Sequence, residues 1–323
     1  MQRRLLSLVC CPTCGGALDV EPEGALDQEA SQIADGTLRC ACGQRFPVRR
    51  GVPRLLPESG HDERTEASFG LEWDYHEVGD RTWGWEVGDR VHQLFVDPMR
   101  IPVESLEGKV LLDAGCGNGS QSVAYSELGL EVVAVDVSSG VERGRALLEA
   151  RPPSRPDRVH FVQADLQHPP LPPSSVDLIH SFGVLHHTPN TEHTFRTLSR
   201  VLRPGGTFYL WVHKREPVVT TLLTVARAVT TRIPPKALSR LARILAVPFE
   251  LFRVLLNRLG IRECPPFSPR ESALAILDIF GAPHSHYHTR SEVEGWFRDE
   301  GFVEVWAAND DRRGFGVVGR KAP

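Results

Sequence analysis

From Lys109 onward, short apolar runs alternate with stretches of helical spacing. The runs are "KVLLDAG", "EVVAVDVS", "VHFVQAD", "SVDLIHSF" and "TFYLWVHK". Between them lie "SQSVAYSELG", a segment opening at Ser139 with Glu142 in capping-box position, and a segment from about Thr191 to Leu202. Unbroken apolar runs suit strands buried on both faces, and their alternation with helices predicts a parallel, doubly covered sheet. The chain ends with "RSEVEGWFRDEGF", "VEVWAA" and "GFGVVGRK", predicted as helix, strand and strand. Residues 1–59 lack helical periodicity, and "MQRRLLSLVCC" reads as a strand. A polar, aromatic-rich connector follows over 60–108, and the alternating pattern fills 109–323. Residues 214–288 interrupt that pattern with two helical segments. The second carries Leu238, Leu241, Leu245, Phe249 and Phe252 at helical spacing.

Charge changes the picture of this insertion. The 323 residues carry a net charge of -4, yet Lys214 to Arg262 hold ten Lys/Arg against Glu216 and Glu250, about +8. The remainder is then about -12, which argues against nucleic acid, since phosphate contacts need Lys/Arg on the docking face. Apolar helices bearing Arg240, Arg243 and Arg253 suit an amphipathic acceptor with an anionic group, or peripheral contact with an anionic membrane. The competing readings are a cap that buries its own apolar face and a dimer contact. No run reaches the ~18 apolar residues needed to span a bilayer. The basic and apolar start is too short for a signal peptide and leads directly into cysteines. A cytoplasmic protein with reduced thiols is expected.

Four of those cysteines are paired: Cys11 and Cys14 in "CPTCGG", Cys40 and Cys42 in "CACGQ". Four thiolates close the coordination sphere of one structural Zn2+, and the glycines suit the turns of such knuckles. The second pair departs from the usual Cys-x-x-Cys, and Cys10 is an alternative ligand. The competing reading is four reduced cysteines in a small core. With "FPVRRGVPRLLP", the segment resembles the small zinc ribbons found as partners of tRNA methyltransferases.

"LLDAGCGNGS" sets Gly115, Gly117 and Gly119 between a predicted strand and a predicted helix. Three glycines alone would also suit a dinucleotide. Asp113 inside the motif, Asp136 ending the next strand and Asp165 ending the third argue otherwise. A pyrophosphate at that turn would be repelled by Asp113, whereas an amino group or sulfonium would not. A carboxylate at Asp136 is placed to take both ribose hydroxyls.

The motifs "LLDAGCGNG", "AVDVS", "VQADL", "SVDLIHSFGVLHH" and "LRPGGTFYL" occur in order from about Val110 to Val212. This set resembles the class I S-adenosylmethionine (SAM)-dependent methyltransferases. The resemblance implies a Rossmann-like seven-stranded sheet with helices on both faces, to which the ribbon and the helical insertion are added. It implies SAM over the carboxyl ends of the strands, held by Asp113, Gly115, Gly117, Gly119, Asp136, Val137, Asp165, Leu166 and Ser181. "ASFGLEWDYHEVG" is similar to a segment that folds over the cofactor in related methyltransferases, making Phe69, Trp73 and Tyr75 candidate lid residues. Aromatic packing on the sheet edge is the competing reading.

The expected reaction is in-line transfer of a methyl group to O, N or C of a small, partly hydrophobic metabolite. An O or N nucleophile needs a base, and His186, His187 and His288 are the candidates. His284, His286 and His288 in "HSHYH" share one face of an extended segment, where they line a pocket or hold a metal. Asp177 is read as structural. Two alternatives remain: an RNA base methyltransferase with an N-terminal zinc site, and a SAM-binding scaffold without turnover.

Overall fold

The computed structural model describes residues 1–21, 32–57, 61–75, 81–82, 85–260, 268–311 and 313–323. Its centre is seven strands in the order β9-β8-β7-β10-β11-β13-β12. They are β7 (Val110–Ala114), β8 (Glu131–Asp136), β9 (Val159–Ala164), β10 (Val176–Phe182), β11 (Leu202–His213), β12 (Phe302–Ala308) and β13 (Gly314–Lys321). All run parallel except β13, which is antiparallel to both neighbours. Every residue of β7, β8 and β9 is buried. Alternate side chains enter opposite cores: Leu112, Val133 and Ile179 on one face, Leu111, Val132 and Leu178 on the other. The connecting helices α4 (Ser120–Ser126), α5 (Gly140–Ala150), α6 (Thr191–Val201) and α10 (Arg290–Asp299) cover the sheet. From β7 the chain winds outward to β9, then returns to β10. The strand order therefore reverses between β7 and β10, which places a crevice at their carboxyl ends.

The expected seven strands are present, and the N-terminal segment is joined to them, extending the sheet to eleven. Strands β1 (Leu18–Val20), β2 (Gly36–Cys40), β3 (Arg45–Arg49) and β4 (Val52–Leu55) form an antiparallel meander. β4 then pairs parallel to β9, Arg54 beside Gln163 and Leu55 beside Ala164. Without β4, β9 would be an open edge with unpaired backbone groups. Leu5, Leu18, Leu38, Phe46 and Leu55 join the same core as Val162 and Ala164. Arg4 donates from Nε and Nη2 to the Glu131 carboxylate, and His160 Nε2 lies 3.1 Å from the same group.

Two local expectations are overturned. "RRLLS" is a 3-10 turn (Arg3–Ser7), not a strand. Within it only Leu5 is buried, which a single turn achieves, and β4 already covers the sheet edge. Ser139 makes no capping bond, and its backbone is already helical. The Glu142 carboxylate is drawn to Arg54 instead, and Ser138 Oγ accepts the Gly140 N–H at 3.2 Å.

The connector supplies α1 (Glu63–Tyr75), a strand pair β5 (Arg81–Thr82) and β6 (Trp85–Glu86), then α2 (Val87–Val91) and α3 (Asp97–Met99). The insertion holds α7 (Pro217–Thr230), α8 (Pro235–Arg258) and α9 (Pro269–Gly281). Leu238, Ala242 and Ala246 of α8 pack on Ala273, Ile276 and Leu277 of α9. The two alanines let the helices approach closely. The expected single apolar wall is thereby split. Leu238 points inward and Phe249 packs against the same cluster, while Leu241, Leu245 and Phe252 lie on an exposed flank. No described helix is long and apolar enough to cross a membrane.

Candidate functional site

The loop Gly115–Gly119 joins β7 to α4 at the crevice. Gly117 (φ 55°) and Gly119 (φ 73°) adopt left-handed backbone. A Cβ on Gly117 would lie 2.2 Å from the Trp73 ring, and one on Gly119 2.4 Å from Phe161. Only glycine allows both the turn and these approaches. Asp136 accepts the Gly117 N–H through Oδ2 at 2.9 Å and the Ser138 N–H and hydroxyl through Oδ1 at 2.9 and 2.7 Å. Burial raises its carboxyl pKa, which those hydrogen bonds oppose. Asp113 is buried at the end of β7 and accepts the Ser122 hydroxyl at 2.6 Å. Asp165, just after β9, accepts the Gln167 N–H at 2.9 Å. Ser181 donates to the Ala114 carbonyl at 3.0 Å, Val137 accepts from Gln163 Nε2, and Leu166 is buried in the core. Asn118 Nδ2, Ser120 Oγ and Gln121 Nε2 are buried polar atoms without a hydrogen-bond partner among the described residues.

Helix α1 lies across this loop. Trp73 stands against Gly117 and Gly140, and Gly70 sits beside Ser139. One turn earlier, Phe69 meets the His187 ring edge-on at 5.3 Å between centroids. Glu72 is buried between these two residues, and its carboxyl is pushed well up by burial and by Asp278 and Asp136. The side chain of Tyr75 lies outside the described residues.

Six histidines gather on the far side of α1. His186 and His187 follow β10, and His213 ends β11. Centroid distances are 3.8 Å for His186–His213 and 4.2 Å for His186–His187. Burial, reinforced by neighbouring histidines, drives the His186 pKa well down and that of His213 to about 3. The rings of His284, His286 and His288 form a row spaced 6.2 and 6.5 Å apart, as alternation requires. His284 bonds Asp62 at 2.7 Å, and the His286 N–H donates to the His186 carbonyl at 2.8 Å. His288 turns to Glu292 at 3.1 Å and packs on Trp296, so α10 anchors it.

In the N-terminal meander, the sulfurs of Cys11, Cys14, Cys40 and Cys42 lie within 4.8 Å of one another. Cys14–Cys40 and Cys11–Cys42 measure 3.4 and 3.8 Å. Ligands about 2.3 Å from a tetrahedral zinc sit about 3.8 Å apart, so the four fit one ion. Cys10 is outside this group; burial pushes its thiol up to about 11.

Residues 112–210 match the methyltransferase domain family, and residues 2–51 match the Trm112p-like protein family. Over residues 112–210 the chain is thus similar to methyltransferase domains. The chain is 38% identical over 100 residues to 27-O-demethylrifamycin SV methyltransferase of Amycolatopsis mediterranei, covering 31% of this chain and 36% of that one. It is 32% identical over 133 residues to ubiquinone biosynthesis O-methyltransferase of Xanthomonas campestris, covering 41% and 54%. It thus spans from about a third to about half of these curated relatives. Magnesium protoporphyrin IX methyltransferase of Synechocystis overlays with a TM-score of 0.48 at 16% identity, over 81% of this chain and all of that one.

The methyltransferase domain brings the glycine loop, Asp113, Asp136 and Asp165 to one crevice. Sequence reasoning missed Asn118, Ser120 and Gln121, although all three lie in or next to "GNGSQ". It also missed Glu72, His213 and Asp278. A histidine closing the apolar run "YLWVH" was a readable signal for His213. Asp278 lies in α9, which the apolar pattern had not resolved.

Proposed function

We propose that the chain is a SAM-dependent methyltransferase acting on a small, partly hydrophobic acceptor. The carrying observation is the set of orphaned donors Asn118, Ser120 and Gln121 beside the glycine loop. Buried polar groups are normally paired, so three together suit a ligand carboxylate such as that of methionine. In this reading Asp113 faces the ligand's amino group and Asp136 the ribose hydroxyls, toward which one lone pair remains on Oδ2. Asp165 and Leu166 flank the adenine, and Gly115, Gly117, Gly119, Val137 and Ser181 shape the wall. When bound, SAM supplies an electrophilic methyl group. The chain supplies orientation and a dry site, with Trp73 and Phe69 of α1 as the cover. The histidine cluster, about one helical turn along α1 from Trp73, forms the acceptor wall. His186 and His187 lie within it, while His288 is turned toward α10. Titration calorimetry with SAM tests the binding. Transfer of label from SAM into lipid, small-molecule and RNA fractions of an extract tests the acceptor. Absence of SAM binding to folded protein would overturn the reading.

The four-cysteine ribbon is read as a structural zinc site, and its thiolates call for a reducing compartment such as the cytoplasm. Its fusion to β9 through β4 supports a role within this chain.

The acceptor is read as amphipathic with an anionic group, met at an anionic lipid surface. On α7, Val218, Leu222, Val225 and Val229 form one outward stripe, each more than 60% exposed. On α8, Ile244, Val247, Leu251 and Leu255 form another, with Arg240 and Arg258 on the same face at its ends. An apolar stripe bracketed by exposed arginines suits a helix lying in a bilayer interface. A second copy would instead set two +8 segments against each other.

A further inference from the structure

The histidine wall holds polar atoms that its packing leaves unsatisfied. His186 is fully buried, and neither ring nitrogen has a hydrogen-bond partner among the described residues. His187 Nε2 and His213 Nδ1 are in the same condition. The three imidazoles each bring a nitrogen within 4.8 Å of the others. Buried polar atoms are normally paired, so three imidazoles with unsatisfied nitrogens at one point need a common partner.

The tautomer of His187 narrows what that partner is. Its Nδ1 lies 2.9 Å from the His284 carbonyl oxygen, which can only accept. Nδ1 therefore carries a proton, and Nε2 is the ring nitrogen that faces the cluster. It lies 3.3 Å from Asp278 Oδ1 without hydrogen-bond alignment. A metal ion beside them would take both the ring nitrogen and the carboxylate as partners. Donation of the second ring N–H to a backbone carbonyl is also how metal-bound histidines are usually oriented.

We propose that His186, His187 and His213 form a site for a divalent first-row transition metal, with Asp278 balancing its charge. Nitrogens about 2.0–2.1 Å from a tetrahedral zinc lie about 3.3 Å apart, which the cluster reaches by small ring rotations. Three imidazoles favour zinc, copper, iron or nickel over magnesium, calcium or manganese. Three protein nitrogens leave a coordination position open. The ligand for that position is an oxygen of the acceptor, a phenolate or carboxylate, beside Phe69. The acceptor part rests on the methyltransferase reading; the metal part does not.

The test is metal stoichiometry on the full-length protein, equilibrated with zinc and then desalted. Two zinc ions per chain are expected, one in the cysteine ribbon and one in the histidine cluster. His213→Ala and His187→Gln should each drop the count to one while SAM affinity stays within about twofold, which also reports that the variants are folded. Cobalt substitution should give a band without thiolate charge transfer that disappears in both variants. One metal per chain in the unsubstituted protein, with no such band, overturns the proposal without recourse to any variant. Two metals without SAM binding would instead retain the metal site and reject the methyltransferase reading.

Discussion

The backbone N–H of Gly117 donates to Asp136 Oδ2 across 2.9 Å, tying the glycine loop to the end of β8. The carboxylate proposed to hold the ribose therefore also fixes the loop beside it. Asp136→Asn should keep one acceptor oxygen for the loop but lose the charge. Loss of the charged partner should cost about 3 kcal/mol, so SAM should bind about a hundredfold more weakly. Near-normal affinity by calorimetry in the folded variant would remove Asp136 from the site.

Trp73 and Gly117 should be energetically coupled. Gly117→Ala places a methyl group inside the Trp73 ring's contact distance and at positive φ. It should lower stability by about 1–3 kcal/mol and weaken SAM binding. Trp73→Ala should reduce the harm of Gly117→Ala when the two are combined, leaving the φ penalty. Strict additivity in a double-mutant cycle would show that α1 does not press on the loop.

Glu131 predicts a pH window for the union of ribbon and sheet. Although burial raises its pKa, His160 and Arg4 outweigh that and bring it down to about 2. A depressed carboxyl stabilises the fold above its unfolded pKa, near 4.3, and that contribution fades as pH falls toward about 2. Arg4 is 61% exposed, so solvent screening reduces the value to about 1–2 kcal/mol. Urea midpoints should separate the unsubstituted protein from Glu131→Gln at pH 6, and the gap should narrow by pH 3. A constant gap would count against the linkage.

Replacing Cys11 and Cys14 by serine should release the ribbon's zinc and lower the melting temperature. Because the ribbon shares its core with β9, the loss should spread to the methyltransferase sheet as one cooperative transition. Two separate transitions in calorimetry would show that the ribbon folds independently.

Ile244→Glu with Leu251→Glu should abolish sedimentation with vesicles containing phosphatidylglycerol, while SAM affinity stays unchanged. Arg240→Glu with Arg258→Glu should weaken it and remove its salt dependence. If the unsubstituted protein ignores such vesicles and runs as a dimer that these changes dissociate, the face joins copies of the chain.

The central sheet was legible because it is written in local terms. Runs such as "EVVAVD" can only be strands buried on both sides, and "DAGCGNG" can only turn where glycine permits positive φ. The Cys-x-x-Cys and Cys-x-Cys pairs announced the ribbon for the same reason. Joining β4 to β9 was not legible: strand pairing is a choice among partners far apart in sequence, decided by which edge remains open. The same holds for the split of α8 into a face on α9 and an exposed flank, since periodicity marks an apolar stripe but not what covers it. His186, His187, His213 and Asp278 come from three segments spread over more than ninety residues. The pairing of β10 with β11 brings the three histidines together and the return of the insertion adds Asp278, because a cluster of side chains is a property of packing and not of spacing.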